Sequence, residues 1–201
     1  MQRPHPGCPP RPGKPCTGGQ IGARQAGEGK LILGAVIAGG QSRRFGSDKA
    51  EALLDGAPLV EHAARQLRPY VGAIVLVGRD RPGWLCLHDR PRAGLGPLGG
   101  IAAATHYAAT HGHDLVLTIG CDMPRIPAKL IETLVERQPA YCASAPILGC
   151  WPASLAAALD RHVEHDPKRS IRGWADRIGA SPVDTPAPLT NVNTPADLAR
   201  L

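Results

Sequence analysis

Three aliphatic runs constrain the fold more than any other feature: "LILGAVIA" (Leu31 to Ala38), "AIVLVG" (Ala73 to Gly78) and "DLVLTIG" (Asp114 to Gly120). Each is apolar without alternation, as expected of strands buried on both faces of a sheet. Between and after them lie segments with helical periodicity. Leu59, Val60, Ala63, Ala64 and Leu67 share one face of a helix from about Pro58 to Arg68, and a small-residue helix spans about Leu98 to Thr110. Pro127 opens another, with Leu130, Ile131, Leu134 and Val135 repeating the face pattern. "WLCL" (Trp84 to Leu87) predicts a short third strand, with a further one near Tyr141 to Ile147. Helices are expected near Ala153 to His162, near Ile171 to Ile178 and behind Pro195. Strands alternating with amphipathic helices predict an α/β fold, a three-layer α/β/α arrangement on a mostly parallel, Rossmann-like sheet. Ligands of such sheets bind beyond the carboxyl ends of the strands, where the strand order reverses.

Composition bears on the domain count and on the partners. Thirteen of the first 30 residues are Gly or Pro, and apolar periodicity begins only at Leu31. The expectation is a disordered Pro/Gly-rich extension over 1–30 and a single domain over 31–201. The net charge of +6 is unevenly spread: Arg3, Arg11, Lys14, Arg24 and Lys30 against Glu28 alone put +4 of it in the first 30 residues. Without a long basic block, and with aromatics at 3%, the chain reads as no nucleic-acid binder. The six cysteines, Cys8, Cys16, Cys86, Cys121, Cys142 and Cys150, form no C-x-x-C pair, which points to a reducing, cytoplasmic setting without zinc or disulfide framework. No run is long enough for a bilayer, so no membrane association is expected.

The polar residues with chemical potential cluster just after the strands. Gly39 and Gly40 let a backbone approach an anion closely, and Arg43, Arg44 and Lys49 add positive charge. A tight strand-to-helix turn with solvated basic residues explains the glycines equally well, and the string fits neither G-x-x-x-x-G-K-[ST] nor G-x-G-x-x-G. Asp122, at the end of the "DLVLTIG" strand, suits either a turn cap or a Mg²⁺ ligand completed by substrate phosphates. Asp89 similarly reads as a cap or a base or ribose contact. His111, His113, His162 and His165 fall at predicted helix ends and read as solvated, and Cys121 reads as a small buried side chain.

Four separated motifs, "IAGGQSRRFGSDK" (Ile37 to Lys49), "GLGPLGGI" (Gly94 to Ile101), "GCDMP" (Gly120 to Pro124) and "NVNTPADL" (Asn191 to Leu198), occur in the order in which they resemble the molybdenum cofactor guanylyltransferase family. The resemblance runs from about Leu31 to Leu201. It implies an enzyme that transfers GMP from GTP to the terminal phosphate of molybdopterin, releasing pyrophosphate, with Mg²⁺ as cofactor and transient contact with cofactor-synthesis proteins or acceptor apoenzymes. By motif position, Ile37, Ala38, Gly39 and Gly40 would meet the nucleotide, and Lys49 and Arg44 would neutralise phosphate charge. Asp89 would contact the nucleotide, Asp122 would hold the metal, and Asn193 would approach it. Gly78 stands where the family often has Asn, leaving a backbone contact or Arg79 to take that part. A cytidylyltransferase acting on the same pterin is the nearest alternative, its loop beginning A-A-G where this chain has Ala38-Gly39-Gly40. A sugar-nucleotide pyrophosphorylase is a further alternative, although such chains are usually longer with a distinct sugar-binding segment, and a nucleotide-binding adaptor that delivers the cofactor is the non-enzyme one.

Overall fold

The computed structural model of the protein describes residues 29–39, 45, 48–185 and 188–201. A seven-stranded sheet carries the strand order β5-β4-β1-β6-β8-β7-β9, with β1 at Ile32–Ile37, β4 at Ala73–Val77, β5 at Cys86–Leu87 and β6 at Leu115–Gly120. Strands β7 (Ala140–Cys142), β8 (Gly149–Pro152) and β9 (Ser181–Val183) complete it, and β2 (Leu53–Leu54) pairs with β3 (Ala57–Pro58) in a separate hairpin. The helices are α1 (Leu59–Leu67), α2 (Gly96–Thr110), α3 (Ala128–Glu136), α4 (Ala156–His165), α5 (Ile171–Ile178) and the short α6 (Pro195–Leu198). The pairs β5–β4, β4–β1, β1–β6 and β7–β9 are parallel, whereas β8 runs antiparallel to both neighbours. The mostly parallel α/β sheet expected from the sequence is therefore present.

Strand period two builds the three layers. Leu33, Ala35 and Ile37 of β1 join Val75, Val77 and Val116 in a cluster with Ala103, Ala104 and Ala108 of α2. Val36, Leu76, Leu117 and Ile119 face the other way, onto Val60, Ala63, Ala64 and Leu67 of α1 and Leu130, Ile131 and Leu134 of α3. A third cluster, with Trp151, Tyr141 and Trp174, ties α2, α4 and α5 together on the α2 side. Each fully buried Leu or Ile in these layers contributes roughly 1.5–3 kcal/mol of transfer free energy.

Where expectation and structure differ, the cause is local. The strand near Tyr141 to Ile147 is instead β7 followed by a turn and β8. Pro146 has no N–H for a ladder, and the turn closes through Cys142 N–H to the Leu148 carbonyl at 2.8 Å and Leu148 N–H to Ala145 at 2.9 Å. "WLCL" contributes only Cys86 and Leu87, and the helix near Ala153 starts with a 3₁₀ turn, Ala153–Leu155, then runs to His165. The β2–β3 hairpin turns on Asp55 and Gly56, both at positive φ (49° and 75°), in the manner of an Asp-Gly hairpin turn.

Because the chain passes from β1 out to β4 and β5 on one side, then returns to β6 on the other, the order reverses at β1. The carboxyl ends of β1, β4 and β6 thus border the crevice in which such folds bind ligands.

Candidate active site

Val77, Ile37 and Gly120 end their strands side by side. At that edge Ala38 N–H donates to the Val77 carbonyl (2.9 Å), and Cys121 N–H to Ile37 (3.1 Å). Gly39, the next residue, approaches Gly78 so closely that a Cβ on Gly78 would lie 2.5 Å from the Gly39 Cα and 2.7 Å from its nitrogen. Gly78 also holds φ at +88°. Both facts require glycine there, which explains why no larger residue stands at the position that the resemblance associates with Asn.

Asp89 comes to the same corner. Its carboxylate accepts the Leu95 N–H at 3.3 Å, and its Oδ1 lies 4.0 Å from where a Gly39 Cβ would be. Gly99 makes room behind it, since a Cβ there would be 3.2 Å from the Asp89 Cβ. Burial raises the Asp89 pKa above its ordinary value.

Lys49 and Asp122 form the centre of the site. Lys49 opens a 3₁₀ turn (Lys49–Glu51) capped by the Asp48 side chain on Ala50 N–H, and its Nζ lies 2.8 Å from Asp122 Oδ2. The two side chains are 17% and 22% exposed, so each is held but open on one side. Asp122 Oδ1 fits over Gly120, 2.5 Å from the position a Cβ would take. Gln66 clamps the turn that carries Asp122, donating to the Met123 carbonyl at 2.9 Å and accepting Ile126 N–H at 2.5 Å. The carboxyl-terminal segment docks onto the same turn: Val192 N–H donates to the Asp122 carbonyl at 2.9 Å, and Asn193, the next residue, is exposed. Asn193 N–H in turn donates to Asp197, at a capping box with Thr194 that holds the Asp197 carboxyl below its usual range.

Arg79 pairs with Asp48 through both guanidinium nitrogens, one at 2.6 Å. That pairing lowers the Asp48 pKa and raises that of Arg79, and it engages the arginine that could otherwise have stood in for the missing Asn. Gly40 and Arg44 lie outside the described residues. So do residues 1–28 of the expected extension. Cys121 is buried and its thiol is pushed up to about 12, so it is no thiolate nucleophile.

His162 departs from expectation: it is buried against Trp174 with ring centroids 5.2 Å apart, because α5 covers the last turn of α4. His113 is half-buried, while His111 and His165 are exposed. Among the described residues no group of three or more His, Cys, Asp or Glu side chains could hold a metal by itself. A site with one carboxylate nonetheless suits a hard divalent cation completed by substrate phosphates. Sequence reasoning passed over Gln66, the Asp48–Arg79 pair and Phe45. The last, the chain's one phenylalanine, is buried with Leu54, Leu59 and Val192, and an isolated aromatic in a polar loop was a readable signal of that anchor.

Comparison with known proteins gives the family. Residues 34–180 match the MobA-like NTP transferase domain. The molybdenum cofactor guanylyltransferase of Rhizobium leguminosarum bv. trifolii is 36% identical, over 84% of this chain and 90% of its own. That of Rhodobacter capsulatus is 34% identical, over 84% and 94%. The crystal structure of the molybdopterin-guanine dinucleotide biosynthesis protein A from Archaeoglobus fulgidus superposes with a TM-score of 0.66 at 25% identity, covering 84% of this chain and 95% of that one. A 4-diphosphocytidyl-2C-methyl-D-erythritol synthase, at 12% identity and a TM-score of 0.62, shares the fold. The chain is a nucleotidyltransferase and belongs to the family of MobA-like NTP transferase domains.

Proposed function

We propose that the protein transfers GMP from GTP to the terminal phosphate of molybdopterin, releasing pyrophosphate and forming molybdopterin guanine dinucleotide. The observation that carries this reading is the 2.8 Å Lys49–Asp122 pair beside Gly39 at the reversal point of the sheet. One cation and one carboxylate at the reversal point support this reading, since an entering triphosphate with its metal needs both charges.

Each residue then has a task. The backbone at Ile37, Ala38 and Gly39 lies against the nucleotide, and Asp89 makes a further contact with it. Lys49 leaves Asp122 to neutralise the phosphates and stabilises charge on the departing pyrophosphate. Asp122, with Asn193 as a second donor, would hold Mg²⁺, which would supply charge neutralisation and polarisation at the α-phosphate. The attacking phosphate of the pterin is ionised at neutral pH, so the chain need only orient it in line with the breaking bond. No general base is called for. Gly40 and Arg44 keep the roles that the resemblance gives them, phosphate contact and charge neutralisation.

The test is to incubate the protein with molybdopterin, Mg²⁺ and either GTP or CTP and to measure pyrophosphate and the dinucleotide product. Turnover with GTP above CTP is expected. Faster turnover with CTP would overturn the base assignment, and binding without turnover of either would point to a cofactor-delivery adaptor.

A further inference from the structure

Asp89 is carried by a segment with few anchors. Pro91, Arg92, Ala93 and Gly94 are exposed, and only Leu95 is buried. On the backbone side, Arg90 N–H donates to the Gly99 carbonyl at 3.1 Å. The Arg90 side chain reaches α4, where its Nη2 donates to Asp160 Oδ2 at 3.0 Å. This ion pair joins the Asp89 segment to α4, with His106 Nδ1 3.8 Å from the same oxygen. Helix α4 is a firm base for it, because Leu159 and Val163 flank Asp160 and are buried with Leu95 and Leu98 of the α2 entry.

We infer that Asp160 is a positioning residue for the nucleotide site, acting through Arg90 on Asp89; the inference rests on the function proposed above. The pair is placed for this task and incompletely satisfied. Arg90 Nε and Asp160 Oδ1 are both buried without hydrogen-bond partners among the described residues. A two-bond pairing, Nε and Nη2 on Oδ1 and Oδ2, would satisfy both atoms and is the stronger form of an arginine–carboxylate contact. Closing that second bond draws Arg90 toward α4 and fixes the backbone from which Asp89 meets the nucleotide. Lys49 and Asp122 stand on other elements and are untouched by it. The effect therefore belongs to GTP binding and not to the chemical step.

The experiment compares the unsubstituted protein with Asp160→Asn, Arg90→Gln and the double variant, by calorimetric titration of GTP with Mg²⁺ and by steady-state kinetics with molybdopterin. For each single variant GTP affinity should fall and its KM rise about fivefold, the scale of one partly exposed, charge-assisted pair. The kcat and the KM for molybdopterin should stay within twofold, and the double variant should bind no more weakly than either single one. An unchanged GTP affinity in Asp160→Asn, or in Arg90→Gln should the first variant not fold, would overturn the inference while leaving the proposed function standing. A loss in kcat alone, or in pterin KM, would overturn it as well. Absence of GTP binding by the unsubstituted protein would remove the functional reading, and this inference with it.

Discussion

Lys49 and Asp122 show how one pair of side chains divides its value between stability and activity. At 17% and 22% exposure their ion pair is worth no more than about 1 kcal/mol to the fold. In the proposed reaction the same charges act on phosphates in a desolvated crevice, where removing one such group costs roughly 10²–10³-fold in rate. Asp122→Asn and Lys49→Ala should accordingly lose about that much kcat while their melting temperatures stay within a few degrees of the parent. A variant that melts far earlier would place the pair in the scaffold instead. Gly78 behaves in the opposite sense. With φ at +88° and the Gly39 backbone 2.5 Å from any Cβ, Gly78→Ala should destabilise the protein by about 2 kcal/mol or more, read as a lower denaturant midpoint. Lys49 and Asp122 were legible as candidates because strand ends and motif order mark them. Their meeting at 2.8 Å was not, since 73 residues separate them and only the sheet brings them together.

At the level of elements, periodicity succeeded wherever a segment was long enough to show it. Strands β1, β4 and β6 and helices α1, α2 and α5 fall within two residues of expectation, because continuous aliphatic runs and 3.6-residue faces are set by the layers themselves. The β7–β8 hairpin and β9 were missed for the same reason in reverse: strands of three or four residues show almost no period, and Pro146 and Pro182 obscure them. What holds that hairpin is long-range, the Trp151 indole N–H donating to Thr118 Oγ1 at 3.0 Å and its ring stacked on Tyr141. The α4–α5 junction was misread in kind, with His162 inside it and not in solvent. Burial lowers the His162 pKa, while Asp166 at 3.4 Å opposes and Arg177 reinforces the shift. A histidine whose folded pKa is depressed binds fewer protons than in the unfolded chain, so its contribution is present above its ordinary value of about 6.5 and is lost as pH falls from there toward the folded pKa. Thermal melts should therefore show stability declining between pH 7 and the folded pKa, and His162→Phe, which keeps a ring against Trp174, should flatten that decline. An equally steep decline in the variant would assign it to other groups.

Over the whole molecule, distant stretches converge on one edge of the sheet: Ala38 and Gly39 at the end of β1, Lys49, the turn after β6 and the segment around Val192. Fold class was readable, and an α/β sheet with a reversal at its first strand points to one crevice as the candidate ligand site before any side chain is considered. How the ends of the domain are secured was not readable. At the amino-terminal end Leu31 is tied on both sides, its N–H donating to Asp114 Oδ2 at 2.7 Å and its carbonyl accepting Asp114 N–H at 2.8 Å. Those bonds, and the register of β1 with β6 that begins at Ile32, involve nothing before residue 29. Among the described residues no helix is long and apolar enough to cross a membrane. Removal of residues 1–28 takes away most of the charge excess of the first 30 residues but none of these bonds. A protein beginning at Gly29 should thus melt within about 2 °C of the full chain and keep its kcat and its KM for GTP within twofold. Should GTP affinity drop several-fold at low salt and recover its parity at high salt, the basic segment would have to be counted among the elements that draw the nucleotide in.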